Sequence, residues 1–143
     1  MNILFVDDSP KYKINYAIDF LKSKNLKFDY TVFKGVNSAT CYICDNISKV
    51  DLAVIDLGLP ILDDGYAYHE LNGLQLIETM LSITTDVPII INSTTDISSL
   101  KGVTEEEYFK KYSSALISHV EFFDGKWLYD FLKEHLKEKI EFC

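Results

Sequence analysis

The chain has 143 residues, 48% of them hydrophobic and 25% charged, the make-up of a folded domain long enough to bury a core. Asp and Glu number 22 against 14 basic residues, a formal charge of −8. All the basic residues are lysine, so an acidic surface without arginine excludes a nucleic-acid binder but suits a hard cation held by carboxylates.

The opening Met1-Asn2-Ile3-Leu4-Phe5-Val6-Asp7-Asp8 lacks a basic leader, and no apolar run nears the roughly 18 residues of a membrane span. The expected place is the cytoplasm, with no membrane partner. Residues 3–6 read as a buried strand, followed by a helix over 11–24 with Ile14, Ala17, Ile18 and Leu21 on one face. Residues 28–33 read as a strand and 38–48 as a helix. That helix carries Cys41 and Cys44, a lone CxxC read as helix packing, and Cys143 is the third cysteine. In a reducing compartment all three are expected as free thiols. A second buried strand spans 52–57, a helix 74–83, and a third strand of this type 87–91 with Pro88 at its entry. A helix is expected over 104–112, with Thr104 and Glu107 in capping-box spacing. A weaker strand over 115–120 and an amphipathic helix over 125–140 close the chain. In that helix the Trp127 and Phe131 stripe reads as core.

Five strands alternate with five helices. That pattern predicts one α/β domain over 1–143, a doubly wound parallel sheet covered on both faces. No repeat or linker interrupts it, and no attached output domain is expected. In such sheets ligands collect beyond the carboxyl ends of the strands. Standing there are Asp7, Asp8, Asp56, Asn92, Ser93, Thr94 and His119. Carboxylates so crowded repel one another unless a cation neutralises them. Mg²⁺ takes one or two carboxylates and keeps positions open for phosphate oxygens. A free carboxylate can then attack phosphorus, and a hydroxyl can steady the charge.

Four landmarks carry a family resemblance: Phe5-Val6-Asp7-Asp8, Ile55-Asp56-Leu57-Gly58-Leu59-Pro60, Asn72-Gly73-Leu74-Gln75-Leu76-Ile77 and Pro88-Ile89-Ile90-Ile91-Asn92-Ser93-Thr94. In this order they resemble the receiver domain of two-component response regulators. The resemblance implies a flavodoxin-like five-stranded sheet in order 2-1-3-4-5. It implies Asp56 as the phosphoacceptor, Mg²⁺ held by Asp7, Asp8, Asp56 and the carbonyl of Gly58, and Ser93 as the hydroxyl that meets the phosphoryl group. It implies a histidine kinase or phosphotransfer protein as donor and a downstream protein effector as target, for a signalling module rather than a metabolic enzyme.

Two departures stand beside it. Receivers carry a Lys-Pro pair after the fifth strand and an aromatic residue before it. Aligned on that landmark are His119, Val120 and Leu116, with Lys126 the next candidate cation. The stretch 61–72 is an inserted loop in which Asp63, Asp64 and Glu70 add negative charge beside the site and Tyr66, Tyr68 and His69 offer contact area. Other readings are a pseudo-receiver that signals without phosphorylation, and a haloacid-dehalogenase-like phosphatase. The phosphatase needs an Asp-x-Asp on its first strand, whereas Asp7 and Asp8 are adjacent. Locally, Asp7 and Asp8 also suit a helix cap, Ser93 a turn, His119 a strand-end histidine, and Glu105-Glu106-Glu107 a solvated first helical turn.

Overall fold

The computed structural model describes Met1–Cys143. Three aliphatic runs have no polar face to show to water, and they form the middle of the sheet: β1 (Asn2–Val6), β3 (Leu52–Ile55) and β4 (Ile89–Asn92). The more polar β2 (Asp29–Phe33) and β5 (Ile117–Val120) take the two edges. All pairings are parallel, in the order β2-β1-β3-β4-β5.

The period of two sorts the strand residues onto two faces. Ile3, Phe5, Leu52, Val54 and Ile90 pack with α1 (Lys13–Ser23) and with α6 (Gly125–His135). Leu4, Val6, Ala53, Ile55, Ile89 and Ile91 pack on the other face with α2 (Val36–Asn46) and α3 (Glu70–Ile83). α1 shows the aliphatic stripe its spacing predicts, with Ile14, Ala17, Ile18 and Leu21 all buried. No helix is long and apolar enough to cross a membrane.

Several boundaries differ from the sequence reading. The helix expected at 74 begins at Glu70, because the His69 ring Nδ1 accepts the Leu71 N–H at 2.9 Å and caps it. The stretch expected as one helix over 104–112 is α5 (Glu105–Tyr108) and a 3₁₀ turn (Lys110–Tyr112). Its expected cap is present, with Thr104 Oγ1 accepting the Glu107 N–H at 3.1 Å. A sixth helix, α4 (Ile97–Lys101), precedes it, capped by Asp96 and stopped by Gly102 at φ 73°. α6 ends at His135, and the chain then crosses to the β2 side, where Lys27 N–H donates to Glu141 O at 2.8 Å. Cys41 and Cys44 lie on α2 as read, but both are exposed rather than packed.

Candidate functional site

Strand register decides which side chains meet. Val6 stands beside Ile55, and Ile55 beside Ile91. One residue further along, Asp7, Asp56 and Asn92 form the next row across three adjacent strands. The alternation of the pleat puts this row on the α1 and α6 side of the sheet, in line with Phe5, Val54 and Ile90. Carboxylate oxygens of Asp7, Asp8 and Asp56 all come within 4.8 Å of one another.

This crowding has an electrostatic cost. Burial pushes the Asp56 carboxyl up to about 7, and the neighbouring Asp7 charge adds to the shift. Burial also raises Asp7, opposed by the Ser9 N–H that donates to its Oδ1 at 2.8 Å. Asp8 raises Asp7 further and Lys13 pulls it back. A recess of about 240 Å³ opens over Asp56, and Lys13, Tyr68, Glu70, Asn92 and Ser93 help to line it. Asn92 is only 2% exposed, and its Oδ1 has no hydrogen-bond partner. A buried acceptor left without a donor is costly, and such groups mark sites that another molecule completes. The Ser93 Oγ accepts the Thr95 N–H at 3.0 Å, which sets the turn after β4. Gly58 donates its N–H to Asp56 Oδ1 at 3.3 Å.

The loop between β3 and α3 is closed at its base by paired bonds, Leu59 N–H to His69 O at 3.3 Å and His69 N–H to Leu59 O at 3.1 Å. Buried Asn72 braces it, donating from Nδ2 to Leu59 O at 2.7 Å and Ala67 O at 2.9 Å. Its outer limb supplies acceptors for the start of α2: Asp63 Oδ1 takes the Gly35 N–H at 2.8 Å, Pro60 O that of Val36 and Ile61 O that of Asn37, both at 3.0 Å. Asp63 Oδ2 also accepts from Ser38 Oγ at 2.6 Å. Asp63 is therefore a cap for α2 rather than charge beside the site, and Asp64 accepts the Tyr66 N–H within its own turn at 3.0 Å. Glu70 does face the recess. So does Tyr68, whose hydroxyl lies 2.1 Å from where a Cβ on Gly58 would sit. Burial raises its hydroxyl pKa, and Asp8 and Asp56 add to the effect.

His119 stands apart from the aspartates. It pairs with Ile91 in the sheet, and Ile91 belongs to the opposite face from Asp56. Its Nε2 donates to Ser93 O at 2.8 Å, and its Nδ1 lies 2.8 Å from Glu105 Oε1. It lines a second recess of about 380 Å³ with Thr95, Asp96 and Glu121. The first residue beyond β5 is Glu121, so this strand end brings no lysine. Lys126 is held on the surface of α6 by Asp130 at 2.8 Å. Sequence reasoning passed over Lys13, although its place in the first turn of the helix after Asp7 and Asp8 was a usable signal.

No family model matches this chain, and no curated protein matches it by sequence. Solved structures are similar in fold. The BeF₃-activated N-terminal receiver domain of Klebsiella pneumoniae RstA aligns at a TM-score of 0.61 and 21% identity, covering 96% of this chain and 99% of that one. A chain of the CheX-CheY-BeF₃-Mg²⁺ complex from Borrelia burgdorferi aligns at 0.64 and 14%, covering 95% and 89%. The Mn²⁺-bound form of response regulator Rcp1 aligns at 0.61 and 15%, covering 99% and 98%. The chain thus has the receiver-domain fold, a flavodoxin-like sheet in order 2-1-3-4-5.

Proposed function

We propose that this chain is a response regulator receiver that accepts a phosphoryl group on Asp56 in a Mg²⁺-dependent step. The observation that carries the reading is the row formed by Asp7, Asp56 and the orphaned Asn92 Oδ1 at the carboxyl ends of β1, β3 and β4. Hard carboxylate oxygens within 4.8 Å of one another are a donor set that suits magnesium. The unpartnered Asn92 Oδ1 suits a site that receives a hydrated cation. Asp7, Asp8, Asp56 and the Gly58 carbonyl would hold the ion.

Bound Mg²⁺ supplies positive charge that neutralises the carboxylates and draws charge from phosphoryl oxygens. An Asp56 oxygen attacks the phosphorus of a phosphohistidine or of acetyl phosphate. The new P–O bond to Asp56 forms as the P–N bond to the imidazole, or the P–O bond to acetate, breaks. The leaving imidazole takes its proton from solvent. The Ser93 hydroxyl, beside Asp56 in the same recess, offers a donor to the transferred group. The proposed partners are a phosphohistidine protein as donor and a protein effector that reads the altered face. Glu121 at the end of β5 favours the second reading, a pseudo-receiver that binds without phosphorylation. Incubation with Mg²⁺ and acetyl phosphate, followed by intact mass, separates the two. The receiver reading expects a phosphoryl adduct that disappears in Asp56→Asn, and no adduct in the native chain overturns it.

A further inference from the structure

A phosphoryl group on Asp56 would bring dianionic charge into a recess that Glu70 already lines, next to the Asp7 and Asp8 carboxylates clustered with Asp56. Positive charge from the protein is needed beside it, and β5 supplies none. His119 is on the other face of the sheet, fixed between the Ser93 carbonyl and Glu105. Glu121 has the wrong sign, and Lys126 is paired with Asp130 on α6. Lys13 is the one cation that lines the recess, and it shares that lining with Asp56 and Asn92. It stands at the first position of α1, exposed, and forms none of the chain's ion pairs. A lysine stem is long and its ammonium carries three donors that reorient freely.

We propose that Lys13 contacts the phosphoryl oxygens on Asp56, so that the cation for phosphoryl transfer comes from the start of α1 rather than from the end of β5. This rests on the receiver reading and adds a residue to it. The Lys13 charge lies in the same recess as Asp56, so it competes mildly with a metal ion bound there.

The two effects of Lys13 have opposite signs, which makes the test specific. Calorimetric titration would follow Mg²⁺ alone, then beryllofluoride in saturating Mg²⁺, for the native chain, Lys13→Met, Lys13→Arg and Lys126→Met. Lys13→Met is expected to tighten Mg²⁺ roughly threefold, since a repelling charge is gone. It should weaken beryllofluoride about tenfold or more, the size of one lost charge-assisted hydrogen bond. Lys13→Arg should restore both constants, and Lys126→Met should change neither. Both constants moving the same way, or neither moving, in Lys13→Met overturns the role of Lys13 while beryllofluoride binding to the native chain keeps the receiver reading. A native chain that binds Mg²⁺ but neither beryllofluoride nor a phosphoryl group overturns both.

Discussion

Asp56 is held in the folded chain with its carboxyl raised to about 7 by burial and by Asp7. A raised carboxyl binds its proton more tightly when folded than when unfolded. Its contribution to stability is fully present below the unfolded carboxylate range and is lost as pH rises through about 7. Asp56→Asn removes the charge but keeps the shape. In the absence of a divalent cation this variant is expected to melt higher than the native chain at pH 8, with the advantage shrinking toward pH 4 or so. Melting curves at three pH values check this, and a gap that is constant with pH would rule it out. The same residue was legible in the sequence because a carboxylate at the end of an aliphatic strand has few structural uses. His119 lies on the face opposite the aspartates for a reason of parity. A strand residue changes face with each step, and the register Ile91 to His119 sets that step; composition carries no trace of it.

At the scale of elements, the β3–α3 loop works as a clamp on α2. Three backbone N–H groups at the start of α2 find their acceptors on the loop, one of them the Asp63 carboxylate. Asp63→Ala should destabilise the fold by about 1 kcal/mol, the usual worth of a helix N-terminal cap. Urea unfolding would report this, and an unchanged midpoint would mean that water replaces the carboxylate freely. Gly73 is under a harder constraint: a Cβ there would come 2.0 Å from the Asp56 carbonyl oxygen and 2.5 Å from Leu57 Cα. Gly73→Ala should push α3 off the end of β3 and displace Asp56 itself, so Mg²⁺ affinity falls along with stability. A Gly73→Ala chain that binds Mg²⁺ like the native one would contradict this. The longer helices could be read from periodicity because their burial repeats at the helical period, and the central strands from unbroken aliphatic runs buried on both faces. α4 could not, since Ile97-Ser98-Ser99-Leu100-Lys101 is too short to show a period, and only its Asp96 and Gly102 ends mark it. The start of α3 was hidden for a related reason: His69 is a rare capping residue, and its ring does what Ser or Asp does elsewhere.

For the whole molecule, the net charge of −8 is unevenly placed, with Asp7, Asp8, Asp56 and Glu70 gathered at one end of the sheet. A ligand that binds only the folded chain raises its stability by mass action, by about 2.7 kcal/mol at a hundredfold excess over the dissociation constant. Mg²⁺ should therefore raise the melting temperature by several degrees, roughly 3 °C per kcal/mol at this length. The rise should vanish in Asp7→Asn. An equal rise in that variant would mean that Mg²⁺ acts on the acidic surface at large.

The closed base of the β3–α3 loop has a consequence for how this chain could be edited. Because Leu59 and His69 are already bonded to each other, the residues between them form a cassette whose two ends meet. A short turn could splice those ends without pulling on the sheet. What the splice would remove is the set of acceptors for α2 and the tyrosine over Gly58. Swapping cassettes would then retune access to Asp56 and the seating of α2 together, as one inherited unit, while leaving the central strands untouched.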